Sequence, residues 1–256
     1  MTYARGKDPA RPDAASFKFG AFFNATKLPT PPLKFGHFAI KDASNKLKPW
    51  GILANDVHSD CIFAGAAHET MVFNNAGGRI VNFADANVLA DYAAVTGYDG
   101  TPATDQGGDM VEAASYRRKI GVLDATGVRH KIDSYVALLP GDVGQLALAA
   151  YLTGAVGVGL SLPRSADDQF DEAMPWSVIP GDTKGPGHYV PCIGRNGVGN
   201  FLVITWGRLH AMTPEFYHAY CDEALAYISL ETLTNNLSPE GFNAAQLGQN
   251  LAALAA

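Results

Sequence analysis

Cysteine is scarce in this chain: Cys61, Cys192 and Cys221 are the only three among 256 residues. An odd set of three does not make a disulfide framework, so a packed core is expected to hold the fold in a reducing compartment. Long apolar runs are also missing. None approaches the roughly 20 residues that span a bilayer, and the opening MTYARGKDPARPDAAS has no apolar stretch of the secretory kind. The expectation is a cytoplasmic protein, or one carried in a particle assembled in the cytoplasm, with no membrane partner. Charge is sparse as well, at 17% of residues against 47% hydrophobic, and that balance excludes disorder. No GxxxxGK[ST] pattern is present, so Gly107-Gly108 is not read as a phosphate loop.

What charge there is lies unevenly. The net value is −6, yet residues 1–50 hold nine Lys/Arg against three Asp/Glu, and six of the 15 prolines. A start of charge +6 on a body of charge −12 reads as an extended arm. Such an arm lies across its own body or reaches a protein partner or neighbouring subunit. With few aromatics interleaved and an acidic body, nucleic acid is not the expected partner. Phe17, Phe19, Phe22, Phe23, Leu28 and Phe35 are the apolar anchors available to hold it, and they are expected to be buried.

Beyond the arm, CIFAGAAHETMVFNN reads as a buried helix starting at or just before Cys61. Helices opened by Asp85 and Asp109 follow, both expected to be Asp-capped, then one over 143–153. Short β-prone runs come next at 155–162, 189–194 and 201–206. A helix over 213–225 starts at Thr213-Pro214, and a last one opens at Ser238. The order is therefore arm, helical half, β-rich half, C-terminal helix.

Cys61 stands where the polar loop Asn55-Asp-Val-His-Ser-Asp60 enters the buried helix. Unsatisfied N–H groups at a helix start favour a thiolate. A cysteine nucleophile also needs a base and an oxyanion donor. His188, in Gly185-Pro-Gly-His-Tyr-Val, is the candidate base. Asn55, six residues before Cys61, is either an oxyanion donor or a turn residue. Cys192 and His68 read as core, and Trp206 as a cover for the histidine edge. His218 and Cys221 have helical i, i+3 spacing, but with no second Cys/His pair nearby no metal or other cofactor is expected.

The order of a loop Asn, a Cys at a helix start, a distant Gly-His-Tyr-Val and an apolar strand ending in Trp206-Gly resembles the papain-like cysteine peptidases. Asp105-Gln-Gly-Gly-Asp109 with its helix, and Val156-Gly-Val-Gly-Leu with Asp168-Gln-Phe-Asp, resemble further segments of that family. The likeness runs over roughly residues 50–230, and is shared with uncharacterised bacterial and bacteriophage proteins of about this length. It implies an α+β papain-like two-lobe fold with an N-terminal arm at 1–50. A helical lobe at 51–140 would carry Cys61, a β-rich lobe at 141–230 would carry His188, and a C-terminal helix would occupy 231–256. It also implies a hydrolase of amide or peptide bonds using a Cys61–His188 dyad, its partner a peptide or amide substrate.

Three departures stand out. The family's orienting Asn, two places before the Trp, is Ile204 here, which accepts no hydrogen bond. Thr205 reaches His188 only if the strand register shifts by one. Asp60 precedes the nucleophile, where its charge opposes thiolate formation, and the loop lacks the disulfide cysteine of secreted members. The alternative is a non-catalytic structural protein reusing the fold, such as a bacteriophage virion subunit (capsid decoration or tail).

Overall fold

A computed structural model describes residues 3–11, 14, 18, 30–36, 39–41, 44, 46–235 and 237–240. The helical half contains α1 (Cys61–Ala76), α2 (Asp85–Thr96) and α3 (Met110–Lys119). α1 has no proline and mostly small or apolar residues, so its whole circumference can be buried: 14 of its 16 residues are. Asp109 caps α3, accepting from the N–H groups of Val111 and Glu112 at 2.8 Å. The Asp cap expected for α2 is absent. Ala84 holds that position without a side-chain bond, and Asp85 sits in the first turn, where a negative charge still favours the helix dipole.

The β-rich half has α4 (Val143–Thr153), capped by Asp142, whose side chain accepts from the Gln145 N–H, and α5 (Ser165–Asp171) and α6 (Pro214–Tyr220). Its strands are β4 (Ser134–Ala137), β5 (Val156–Ser161), β6 (Gly187–Arg195), β7 (Phe201–Thr205), β8 (Arg208–Met212) and β9 (Cys221–Ile228). They form one antiparallel sheet in the order β4-β9-β5-β6-β7-β8, with β1 (Phe35–Gly36) added to β6. A small ribbon pairs β2 (Val122–Leu123) with β3 (Arg129–His130). The architecture is α+β.

The sheet separates two cores. Val156, Val158, Leu160, Val190, Cys192 and Val203 pack towards α4 and α6. Tyr189, Ile193, Ile204, Leu225 and Tyr227 pack with the residues of α1 and α3. Contact between α1 and β6 is close because residue 65 is glycine: a Cβ there would lie 2.3 Å from Tyr189 Cε1. Arg117 and Tyr189 both bind Glu69 at 2.6 Å, and this buried network ties α1, α3 and β6 together. The helix expected over 213–225 stops at Tyr220, and Cys221 opens β9 instead. A fully buried apolar run such as ALAYI has no period that separates strand from helix. Residues 241–256, most of the expected C-terminal helix, lie outside the described residues, as do Phe17, Phe19, Phe22, Phe23 and Leu28 of the arm. Phe35 is buried, edge-on to Tyr151. Among the described residues no helix is long and apolar enough to cross a membrane.

Candidate active site

Cys61 is the first residue of α1, and the N–H groups of Tyr189 and Gly6 face its sulfur. The thiol therefore stands beside the start of β6, where His188 precedes Tyr189. His188 is wholly buried, its Nε2 lies 2.9 Å from Thr205 Oγ1, and its Nδ1 is buried without a hydrogen-bond partner. Trp206 stacks on the imidazole with centroids 4.7 Å apart.

Thr205 reaches the histidine because of a β-bulge. The register between β6 and β7 shifts by one residue between the pairs Gly194↔Leu202 and Cys192↔Val203. Past the bulge Val203 shares the face of Val190 and Cys192, and alternation puts Thr205 on that face too. Ile204 points the other way, into the core beneath α1.

The loop before Cys61 is tightly knit. Asn55 donates through Nδ2 to the His58 carbonyl at 3.2 Å and to Asp60 Oδ1 at 3.0 Å. Both amide hydrogens are thus engaged with its own loop. Burial pushes the Asp60 carboxyl well above its ordinary value, which favours the neutral acid and weakens the charge that would oppose the thiolate. His68 binds the Gly51 carbonyl at 3.0 Å, and Cys192 is buried in the sheet core. His218 binds the Gly141 carbonyl, and Cys221 has left the helix that would pair them. Among the described residues no group of three or more His, Cys, Asp or Glu side chains could hold a metal ion.

The residues that sequence reasoning did not find are those of the arm itself. Residues 3–8 run between the two halves, with Gly6 at Cys61 and Lys7 at the Gly187 carbonyl that precedes His188. Lys7 donates its N–H to the Gly187 carbonyl at 3.1 Å, while Gly108 donates to the Gly6 carbonyl at 2.8 Å and Asp8 to the Gly108 carbonyl at 2.9 Å. Arg5 binds the Leu162 carbonyl at 2.7 Å and Asp167 at 2.5 Å. Tyr3 stacks on the far face of the layer begun by His188 and Trp206, 4.3 Å from the latter. Gly6 is forced by the narrowness of the passage, since a Cβ there would lie 1.8 Å from the Ser59 carbonyl oxygen. Nothing in the sequence Arg5-Gly-Lys7 advertises this, because the contacts are across more than 50 residues.

The covered site is electrically silent. Burial pushes the Cys61 thiol up to about 12, outweighing the two N–H groups that face it and the lowering expected from the helix start. Burial, with the Arg5 guanidinium nearby, drives His188 down to about 3. Both groups are neutral near pH 7.

Comparison with solved structures places the fold. Xylellain, a cysteine protease from Xylella fastidiosa, superposes with a TM-score of 0.60 at 14% identity, over 89% of this chain and 97% of that one. The fold is that of the papain-like cysteine proteases. The proform of the ragweed pollen allergen Amb a 11, also a cysteine protease, matches at TM-score 0.54 and 18% identity, over 86% of this chain and 71% of the other. Procathepsin B from Trypanosoma congolense matches at 0.56 and 12%, over 88% and 86%. At such identities the likeness concerns the fold. No family model and no curated protein sequence matches the chain.

Proposed function

We propose that this papain-like protein is a cysteine hydrolase of amide or peptide bonds, held latent by its own N-terminal segment. The observation that carries the reading is the pair His188–Thr205. The hydroxyl holds Nε2 and leaves Nδ1, the nitrogen with no partner, for the thiol. With the arm withdrawn, Nδ1 takes the Cys61 proton and Sγ attacks the substrate carbonyl carbon. The oxyanion meets the Cys61 backbone N–H, which has no partner within its own helix, and the Asn55 amide if it turns from its loop. His188 then gives its proton to the leaving amine, and water hydrolyses the acyl-enzyme with His188 as base. Thr205 replaces the carboxamide of the family pattern as the group that orients the ring.

The test is fluorogenic peptide hydrolysis by the full chain before and after limited proteolysis at the arm. Activity that appears on nicking and is absent from Cys61→Ala supports the reading. Silence in both, with iodoacetamide ignoring Cys61 in the nicked protein, rejects it.

A second reading has one observation in its favour. The dyad is covered, Cys61 at 1% exposure and His188 at 0%, by a strap bonded along its length. A non-catalytic structural subunit, of a bacteriophage virion for instance, would need the strap and never the chemistry. Failure to hydrolyse after removal of the strap favours it.

A further inference from the structure

The side chain of Lys7 enters a pocket next to the dyad. It is fully buried, and its ammonium lies 3.0 Å from Asp222 Oδ1 in an ion pair. The same nitrogen donates to the Asp8 carbonyl at 2.8 Å, and Asp222 accepts from Ser161 Oγ at 3.0 Å through its other oxygen. The aliphatic stem passes over Gly159. A Cβ on Gly159 would lie 2.1 Å from Lys7 Cε and 2.9 Å from Met110 Sδ, so the missing side chain is what opens the pocket. Glu223 adds a second carboxyl close to the ammonium: burial raises it to about 7, and Lys7 pulls it back down.

Shape and charge here select together. Glycine and methionine walls admit a long unbranched stem, and an acidic end demands a cation, since a buried ammonium without a partner costs several kcal/mol. The main-chain bonds of Gly6, Lys7 and Asp8 to Gly108 and Gly187 are ones any extended peptide can make. They supply grip without sequence preference, which is left to side-chain pockets. Gly6, the neighbour of Lys7, presents its N–H to Cys61, so the pocket sits within one residue of the nucleophile.

We propose that the Lys7 pocket is the specificity pocket of the Cys61 site and takes a lysine or arginine side chain of a peptide substrate, Lys7 being its resident occupant. The proposal rests on the hydrolase reading.

Two measurements on the full chain test it and separate its failure from that of the hydrolase. In Lys7→Ala, n-butylammonium chloride is expected to raise the melting temperature, with no such rise in wild type or in Lys7→Ala/Asp222→Asn. Iodoacetamide and peptidyl vinyl sulfones bearing Lys or Leu are then timed against Cys61 in Lys7→Ala. The Lys probe is expected to react about tenfold faster than the Leu probe, corresponding to roughly 1.4 kcal/mol, and Asp222→Asn should bring the ratio near one. Equal rates for the two probes, with Cys61 reactive to iodoacetamide, overturn the pocket and leave the hydrolase standing. Butylammonium binding with no electrophile reacting at Cys61 overturns both, and makes Lys7 a latch for the arm alone.

Discussion

His188 and Thr205 meet on adjacent strands, Nε2 2.9 Å from Oγ1, with Trp206 lying over the imidazole. A hydroxyl on the residue next to the Trp bonds the ring nitrogen, and under the hydrolase proposal it takes the place that the family pattern gives to an amide one position earlier. The consequence is testable. Thr205→Val keeps the shape and removes the acceptor, leaving a buried nitrogen unpaired at a cost of about 1–3 kcal/mol. Hydrolysis after arm removal should fall, by up to about 10⁴-fold, because loss of the partner that orients the imidazole is costly even as the least costly triad loss. Thr205→Ser should retain most activity. Ile204→Asn, the substitution that the family pattern suggests, should gain nothing and should destabilise the core beneath α1.

The arm controls access through Gly6. Gly6→Ala places a methyl group 1.8 Å from the Ser59 carbonyl oxygen, so residues 3–8 must lift. In the wild type all three thiols are buried and raised, to about 12, 12 and 11, and iodoacetamide should label none of them quickly. In Gly6→Ala, Cys61 should label at least about tenfold faster than Cys192 and Cys221, as exposure and thiolate character govern the rate. Mass spectrometry of the alkylated peptides checks it, with circular dichroism to confirm that the fold persists.

Asn55 is separable from the thiol. If it turns to hold an oxyanion, Asn55→Ala should lower turnover by about 10²–10³-fold. Alkylation of Cys61 by iodoacetamide passes through no oxyanion and should change little. A parallel loss in both would instead make Asn55 the pin of the loop, through its bonds to His58 and Asp60.

Acid should destabilise the protein through its buried histidines. His68, His188 and His210 are driven down to about 4, 3 and 4, in each case by burial first. Their folded pKa values lie below the unfolded value of about 6.5. The unfolded chain therefore binds more protons as the pH falls below 6.5, and stability drops from there towards pH 4. Each group contributes a slope of up to roughly 1.4 kcal/mol per pH unit. His210 packs on Phe170 and Trp176, away from the thiol. Its replacement in His210→Gln should flatten the slope by about one proton, read from urea unfolding at pH 6.5, 5.5 and 4.5.

Local signals carried far in this chain. Asp109 and Thr213-Pro214 announced helix starts because a cap is a contact between neighbours in sequence. Cys61 at a helix start and His188 at the head of a strand were both legible from flanking residues. Where the sequence was silent, the cause was burial or distance. The strand Cys221–Ile228 is enclosed on both faces and so shows no alternation. The Glu69–Arg117 pair joins residues 48 apart.

The sequence by itself determined the α+β order, Cys61 at a helix start, His188 at the head of a strand and the basic charge of the first 50 residues, since periodicity, caps and charge are written along the chain. Only the tertiary structure decided what those parts do to one another. The bulge between Cys192 and Gly194 turned Thr205 towards His188 and Ile204 away from it. The arm came to lie between the halves, with Gly6 over Cys61 and Lys7 against Asp222. Register and docking are settled by the joint packing of segments far apart in sequence, and the ionisation of the dyad follows from the burial that results. Neither is a property of any stretch of residues taken alone.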